Sequence, residues 1–424
     1  MIDIKLIREN PEIIKSNIKK KGQIEKIPLV DKIIVLDGKW RKLKFEEDGL
    51  RSERNKISEQ INQIKKQKKD ASKFISIAKV IPKRIEELEN KRKKFEEEIK
   101  NLLYQIPNLI HKSVPIGKDD SENLEIKKFG KPTKFDFPVK NHVELVENLS
   151  IADFDDSAKT SGKGFYYLKG DLALLNRALV NFAIDFMVSK GYVYIEPPLM
   201  INKRVAEAKG DFQAFENALY KIEGEDLFLI PTAEDAILGM LADKTIKEED
   251  LPLKFFGYSM CFRKEIGSHG INEKGLWRTH QFNKVEQFIF CKSEDSWKSY
   301  KELRKNSQEI LKQLELSYRI IECCTGDLGN WKAKSEDFEV YRPTTKDYGE
   351  VMSLSNCTDY QARDLNIRGI NKKGERYVLH TLNNTALATS RIMVAILENN
   401  QQKDGSIKVP KVLWKYLGKK VIGK

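Results

Sequence analysis

The chain has 424 residues, 40% of them apolar and 33% charged, which suggests two or three folded domains and excludes wholesale disorder. Its five cysteines include no CxxC pair and no stretch approaches 18 apolar residues, so we expect no disulfide framework, no zinc site and no membrane span. The N-terminal residues lack the apolar segment of a secretory signal, which together with the cysteine pattern indicates a reducing, cytoplasmic location.

Charge is unevenly distributed along the chain. The formal net charge is +13, and residues 1–100 contribute +10 of it, from 28 Lys/Arg less 18 Asp/Glu. A basic N-terminal quarter indicates a polyanionic partner. A lysine-rich composition on solvated helices would give the same excess, and charge alone does not separate the two explanations.

Residues 30–106 contain two heptad-like patterns. The first repeats every seven positions, although Glu47 and Arg54 interrupt its companion seam; the polar turn KKQKKDAS then leads to a second run in steps of four and three. Such patterns predict two long helices folded back as an antiparallel hairpin, while a dimerising coiled coil remains the alternative. The pattern residues are Leu36, Leu43, Leu50, Ile57 and Ile64, then Ile81, Ile85, Leu88, Arg92, Phe95, Ile99, Leu102 and Ile106.

The segments on either side of this arm suggest two domains. Residues 1–28 contain one short amphipathic helix, with Ile4, Ile7, Ile13 and Ile14, and the stretch HKSVPIGKDDSEN after Pro107 is linker-like. From about 125 onward, short β-rich runs alternate with helical patterns, without GxGxxG or a P-loop. We therefore predict domains at 1–113 and 125–424, the second an α+β fold with a mostly antiparallel sheet and flanking helices.

Residues 255–290 are typical of a β-hairpin with a long polar loop. By the two-residue period of a strand, Arg263 and Glu265 share one face of the first strand, and Lys284 and Glu286 share one face of the second with Phe282 and Phe288. Charges within aromatic strands are costly to bury without a partner or a ligand, whereas an amphipathic strand with a solvated face is the simpler alternative. The predicted loop contains Gly267, Ser268, Gly270, Asn272 and Gly275.

Several segments resemble a known family. FRKE, followed by Arg278, Phe282 and Glu286 at spacings of four, resembles motif 2 of class II aminoacyl-tRNA synthetases, and GSHGINEKGLWRTHQFNKVEQF resembles its seryl-specific version. IPTAED at 230–235, YGEVMSLSNCTDYQARDLNIR at 348–368 and TLNNTALATSRIMVAILENNQ at 381–401 resemble the seryl TAE loop, the family's E-V-S-S-C-S-N-C segment and motif 3. The order and spacing agree along essentially the whole chain, which is identified as a member of the seryl-tRNA synthetase family.

The resemblance implies a serine–tRNA ligase that forms seryl-adenylate from L-serine and ATP with Mg²⁺, and then esterifies the 3′ end of serine tRNA. The implied catalytic residues are Arg263, Glu286 and Arg391, and the implied magnesium-side residues are Glu350 and Ser353. The implied serine-binding residues are Thr232, Ala233, Glu234, Arg263, Glu286 and Thr385. The implied ATP-binding residues are Arg263, Lys264, Glu265, Thr279, Phe282, Glu350, Val351, Met352, Ser353 and Arg391.

The resemblance also implies that the protein binds tRNA and forms a homodimer, and it leaves some alternative functions open. The hairpin arm is expected to reach the long variable arm of serine tRNA, and the enzyme is expected to be a homodimer through motif 1, a helix around 173–190 with a strand that ends at Pro197–Pro198. The segment TALATSRIMVAILENN predicts a helix that holds Arg391 rigidly. Charging of selenocysteine tRNA is left open, as is a non-catalytic tRNA-binding paralogue. A ligase that loads a carrier protein should lack the arm, and a purely structural coiled coil explains only residues 30–106.

The sequence departs from the family pattern near the predicted substrate. Motif 3 usually carries several glycines, whereas this chain has Asn384, Ala386 and Ser390 at those positions. Thr385 keeps the hydroxyl of the usual serine and adds a methyl group. Met352 and Leu354 replace Ser and Cys of the usual segment. These changes leave the individual contacts open without changing the implied reaction.

Overall fold

The structure is a computed structural model that describes residues 1–210, 212, 216–265 and 274–423. Its backbone divides into two compact units. One unit comprises residues 2–107, and the other comprises residues 108–424 together with Met1. Most of the loop predicted between the two hairpin strands, including Gly267, Ser268, Gly270 and Asn272, lies outside the described residues.

The first unit is helical, and its two long helices form the predicted antiparallel hairpin. Its helices are α1 (Ile4–Glu9), α2 (Pro11–Lys20), α3 (Ile27–Lys66) and α4 (Ser72–Gln105). The prediction of one helix before the arm is wrong, because Asn10 leaves the helical conformation and Pro11 begins a second helix. The helix α4 also starts well before the apolar pattern at Ile81 and contains Pro82 in its interior.

A polar layer explains the interrupted seam of the arm. The side chain of Glu47 is 2% exposed, and its carboxylate contacts Arg51 Nε at 3.0 Å and Arg92 Nε at 2.9 Å. The Arg92 guanidinium also lies 5.5 Å from the ring centre of Trp40. Glu47 and Arg92, one from each helix, therefore compensate each other's charge, which satisfies the requirement that a buried charge be paired.

The second unit is built on a sheet in the order β1-β10-β11-β12-β15-β9-β8-β4, antiparallel except between β8 and β4. This confirms the predicted class II type of α+β fold. The sheet strands are β1 (Leu124–Phe129), β4 (Val193–Ile195), β8 (Leu253–Phe262), β9 (Gln281–Cys291), β10 (Tyr318–Glu322), β11 (Lys334–Arg342), β12 (Asp347–Thr358) and β15 (His380–Ala388). The shorter strands are β2 (Ala152–Asp153), β3 (Tyr167–Leu168), β5 (Met200–Asn202), β6 (Leu227–Leu229), β7 (Thr245–Lys247), β13 (Arg368–Ile370), β14 (Arg376–Val378), β16 (Ile407–Lys408) and β17 (Val421–Ile422).

Helices pack against this sheet and bury its apolar face. They are α5 (His142–Asn148), α6 (Asp155–Ser161), α7 (Gly170–Ser189), α8 (Lys203–Ala206), α9 (Ala233–Met240), α10 (Ser296–Gln313), α11 (Tyr360–Asp364), α12 (Thr389–Asn400) and α13 (Trp414–Leu417). Among the described residues, only α7 is long and apolar enough to cross a membrane, and half of that stretch is buried inside the unit. Leu172, Leu175 and Leu179 of α7 belong to the main apolar core. Packing in this core is sufficient to explain why α7 is rich in apolar residues.

Two local predictions around the site are wrong. The strand β8 ends at Phe262, and Glu265 has a left-handed backbone with φ 50°, so Arg263 and Glu265 do not share a strand face. Thr385 and its neighbours up to Ala388 lie on β15, and the helix α12 begins only at Thr389. Their pairing with β9 outweighs a local sequence that resembles a helix, because the strand completes the hydrogen bonds of a buried sheet.

Glu398 anchors α12, the helix that carries Arg391. Its buried carboxylate accepts hydrogen bonds from Arg342 Nη2 at 2.9 Å and from Thr344 Oγ1 at 2.8 Å, and lies 3.1 Å from His142 Nδ1. Burial opposes the charged form, but His142 and Arg342 outweigh it and lower the pKa of Glu398 from 4.5 to about 2.

We expect Glu398→Gln to destabilise the second unit in a pH-dependent way. A carboxyl whose folded pKa is lowered stabilises the protein above its unfolded pKa, by about 3 kcal/mol for this shift. The difference in unfolding free energy between the native protein and the variant should be constant above pH 4.5 and shrink as the pH falls toward 2. Urea unfolding at several pH values measures this, with exposed Glu223→Gln as a control; a difference that grows on acidification would contradict the assignment.

Candidate active site

A cavity of about 490 Å³ opens on the polar side of the central strands. Most of the residues predicted to bind ligands line it, although they come from distant parts of the chain. The predicted residues in its wall are Thr232, Glu234, Arg263, Glu265, Thr279, Phe282, Glu286, Glu350, Val351, Ser353, Thr385 and Arg391. Three predicted residues are not in that wall. Ala233 and Met352 are fully buried elsewhere, and the ammonium of Lys264 lies 5.7 Å from the ring centre of Tyr220.

Strand register positions the floor of the cavity. Glu286 on β9 is paired with Thr385 on β15 and with Gly257 on β8. Thr385 Oγ1 donates a hydrogen bond of 3.2 Å to Glu286 Oε2, and Lys284 Nζ lies 2.7 Å from the same oxygen. Burial raises the pKa of the Glu286 carboxyl above its usual value, and Lys284 opposes that shift. The result is a buried, oriented acceptor for a hydroxyl group.

Helix α9 brings a second carboxylate to the same place. Thr232 caps this helix, with its hydroxyl accepting a hydrogen bond from the Glu234 amide at 3.3 Å. A Cβ atom on Gly257 would lie 2.9 Å from the Ala233 Cβ, so this glycine allows the helix to approach the strand. Gln361 Nε2 donates a 2.9 Å hydrogen bond to Glu234 Oε1, which fixes that carboxylate.

Arg263 lies just beyond the end of β8 and faces an aromatic ring. Its guanidinium carbon is 5.2 Å from the ring centre of Phe282, and its Nε donates to the carbonyl of Pro231 at 3.3 Å. Its backbone amide donates to the carbonyl of His280 at 2.9 Å, so the two chains remain paired past the strand end. A planar cation held over a ring in this way is suited to bind carboxylate and phosphate oxygens.

Arg391 lines the same cavity from the first turn of α12. Its Nη1 donates to Glu350 Oε2 at 2.9 Å and to the Glu350 carbonyl at 2.8 Å. Trp277, which the sequence analysis did not single out, contacts two arginines, with the Arg342 guanidinium at 4.3 Å and the Arg391 guanidinium at 5.4 Å from its ring centre. Because Gly349 has no side chain, the Trp277 ring can approach the strand, where a Cβ atom would be 2.4 Å from it.

A β-bulge explains how Glu350 and Ser353 face the same cavity. Residues three apart on a regular strand point to opposite sides, but the pairing of β11 with β12 skips Val351. Carboxylate and hydroxyl oxygens are ligands that Mg²⁺ prefers. Asp337, opposite Ser353 in the register, has an Oδ1 atom without a hydrogen-bond partner among the described residues, which adds an unused oxygen at this place. The donor set therefore fits a magnesium ion held by Glu350 and Ser353.

Several wall residues escaped the sequence analysis. Lys284 was noticed only as part of a strand face, although the two-residue period already placed it beside Glu286. Four others lie within the family-like segments but were given no role there: Asp235, Trp277, Asn383 and Ser390. Three more give no local signal, because their role depends on distant partners: Lys209, Trp331 and Lys332.

Cys323, Asp327 and Asp337 have potential metal-ligating atoms within 4.8 Å of one another. This group contains a single thiol and an exposed aspartate, so it is not a cysteine-rich zinc set. The expectation that the protein needs no zinc stays a prediction.

Comparisons with known proteins agree along the whole chain. Residues 1–110 match the family model described as the seryl-tRNA synthetase N-terminal domain, and residues 217–400 match the tRNA synthetase class II core domain (G, H, P, S and T). The serine–tRNA ligase of Methanospirillum hungatei is 47% identical over 422 residues, with 99% of each chain covered.

Solved structures give the same result. The chain superposes on the crystal structure of seryl-tRNA synthetase from Pyrococcus horikoshii complexed with ATP with a TM-score of 0.91 and 44% identity, covering 100% and 99% of the two chains. For the cytoplasmic serine–tRNA ligase of Naegleria fowleri in complex with AMP, the TM-score is 0.86 with 32% identity, covering 100% and 98%. These findings confirm the resemblance inferred from the motifs, and the chain belongs to the seryl-tRNA synthetase family of class II synthetases.

Proposed function

We propose that this protein is a working serine–tRNA ligase that activates L-serine with ATP and transfers the seryl group to the 3′ end of serine tRNA. The observation that carries the proposal is one cavity in which Arg263, Arg391, Glu234 and Glu286 face each other. Loss of any of these would favour a non-catalytic tRNA-binding paralogue, and all are present and directed into the cavity.

The first step joins the serine carboxylate to the α-phosphorus of ATP. A carboxylate oxygen forms a bond to the α-phosphorus. The bond between the α-phosphorus and the oxygen that bridges to the β-phosphorus breaks, and diphosphate leaves with the electron pair of that bond. The attacking carboxylate is already ionised at neutral pH, so the step requires charge stabilisation and alignment rather than a general base. Arg263 is placed to bind the α-phosphate and the carboxylate, and Arg391 to bind the γ-phosphate. A magnesium ion held by Glu350 and Ser353 would neutralise phosphate charge.

The remaining cavity residues account for the two substrates. The Phe282 ring offers a planar surface for adenine, with Glu265, Thr279 and Val351 around the nucleotide. The carboxylate of Glu234 can pair with the serine ammonium group, next to Thr232. Glu286, oriented by Thr385 and Lys284, can accept a hydrogen bond from the serine hydroxyl. Alanine lacks that hydroxyl and would leave a buried acceptor unpaired, which a hydrogen-bonding site rejects strongly.

We further propose that residues 1–113 bind serine tRNA through the α3–α4 arm and that residues 125–424 form the catalytic domain. The basic excess of the first hundred residues suits a phosphate backbone. All five cysteines are free and buried, which suits a reducing cytoplasm.

Serine-dependent exchange of diphosphate into ATP tests the activation step. We expect exchange with serine and none with alanine or glycine, and we expect Arg263→Ala to lower the rate by about 10³-fold, because it removes a cation at the developing charge. Arg319→Ala is a matched control, since that guanidinium also lies over a ring, 4.8 Å from the centre of Tyr348, but outside the cavity. Exchange that survives Arg263→Ala, in a folded variant, would contradict the motif 2 assignment.

Shortening the arm separates activation from tRNA charging. Arg51 and Glu89 form an ion pair across the hairpin, so a short Gly-Ser turn can replace residues 52–88 and join positions that already contact each other. The replaced stretch carries ten Lys/Arg and five Asp/Glu. We expect exchange to stay within about twofold and serine tRNA charging to fall by about 100-fold or more, since phosphate contacts dominate nucleic-acid affinity. Unchanged charging would show that the arm does not bind tRNA.

The homodimer remains part of the proposal and has its own support. Leu174 and Val188 on α7 are 47% and 55% exposed, and Val193, on the edge strand β4, is 56% exposed. An apolar helix face beside an open sheet edge suits a second copy of the chain.

Leu174→Glu/Val188→Glu should therefore convert a dimer into a single chain of 49.1 kDa in light scattering after size exclusion. The exposed Val80→Glu on the arm is the control. A wild-type protein that is already monomeric, or a double variant that still dimerises, would overturn the assignment of this face.

A further inference from the structure

A buried ion pair beside Glu234 has no part in the reaction described above. Lys209, in the short 3₁₀ turn Glu207–Lys209, points its ammonium toward α9, where it lies 2.6 Å from Asp235 Oδ1 and 3.5 Å from Glu234 Oε2. The three side chains are 11%, 5% and 9% exposed, and all line the cavity. The shorter distance shows that Asp235, rather than Glu234, is the main partner of this lysine.

The charges around the amino-acid end of the cavity can be counted in pairs. Glu286 is paired with Lys284 at 2.7 Å, and Asp235 is paired with Lys209. Lys332 also lines the cavity, and both Asp337 and Glu234 favour its charged form. Glu234 accepts a hydrogen bond from the neutral amide of Gln361 at 2.9 Å, and the Lys209 ammonium lies farther away, at 3.5 Å. Glu234 is therefore the carboxylate of this group whose neighbouring cation is mainly engaged by another carboxylate.

Electrostatics favours this division of charge. Burial opposes the charged form of Lys209, yet Asp235 and Glu234 raise its pKa above 10.5. Burial likewise opposes ionisation of Glu234, but Lys209 and Gln361 together hold its pKa below its usual value. Glu234 is therefore held in its charged form, in which it can pair with one substrate ammonium.

We propose that Asp235 is a positioning residue that draws the Lys209 ammonium to 2.6 Å from itself and leaves it 3.5 Å from Glu234, which keeps the Glu234 carboxylate available for the amino group of the substrate. This inference rests on the proposed serine activation at the same cavity. It assigns to Lys209 and Asp235 a role in substrate binding without contact with the reacting atoms. A pair that merely fastens the 203–210 segment to α9 would have the same contacts, so the test must separate charge competition from packing.

Asp235→Asn is the informative change. Asparagine cannot balance the ammonium of Lys209, which then needs to move by only about an ångström to reach Glu234, where it competes with the substrate ammonium. We expect the KM for serine in the exchange reaction to rise by about tenfold or more, while the KM for ATP stays within about twofold. Asp235→Ser provides a second removal of the carboxylate should the asparagine variant fail to fold.

Removing the competing cation as well gives the decisive result. Lys209→Met/Asp235→Asn should return the KM for serine to within about threefold of the native value, because no lysine ammonium then competes with the substrate for Glu234. If the pair only stabilises packing, the double variant will be as impaired as the single one or more so, and that result overturns the proposal. An unchanged KM for serine in folded Asp235→Asn also overturns it.

Two controls distinguish an effect of Asp235 and Lys209 on serine binding from a general effect of a lost buried charge and from a failure of the proposed function. Glu322→Gln removes a buried carboxylate paired with Lys334 at 2.9 Å outside the cavity, and it should leave the KM for serine unchanged. Absence of serine-dependent exchange in the native protein would contradict the proposed function itself, whereas native exchange without rescue in the double variant contradicts only the role of Asp235 and Lys209.

Discussion

The antiparallel pairing of β8, β9 and β15 is the constraint on which the rest of the structure depends. Its register sets Glu286 directly between Thr385 and Gly257. Alternation along β9 then points Phe282, Lys284 and Glu286 into one cavity, while Val285 and Ile289 enter the apolar core. A shift of one residue would exchange these two sets, burying charges in the core and exposing apolar side chains. The same strand register is therefore required both to bury the apolar core and to direct the functional side chains into the cavity.

Backbone irregularities adapt this regular sheet to its ligands. The bulge at Val351 lets Glu350 and Ser353 face the same side, and the end of β8 at Phe262 lets Arg263 turn over Phe282. Two glycines remove side chains where other groups must come close. Gly257 admits helix α9, and Gly349 admits the ring of Trp277. In each case the sheet is rigid, and a local irregularity in its backbone or a missing side chain directs a functional group toward the cavity.

Buried charge is handled by pairing throughout the molecule. Glu47 and Arg92 pair across the arm, Arg342 and Thr344 bind Glu398 on the helix that carries Arg391, and Lys284 pairs with Glu286 in the cavity. An isolated buried charge is costly, so each of these carboxylates is paired. Glu234 differs because its nearest strong partner is an amide, which suits a group that awaits a cationic substrate.

The sequence by itself determined the helical arm, the mostly antiparallel sheet, the family and twelve of the residues that line the cavity. Heptad spacing and strand alternation are local patterns, and motif residues such as Arg263, Glu286 and Arg391 can be matched one by one. Only the tertiary structure decided where β8 ends, that Thr385 lies on a strand, and that Lys209 meets Asp235. These features depend on hydrogen bonds and charges contributed by segments far apart in the chain, and a local pattern contains no information about partners that only folding brings together.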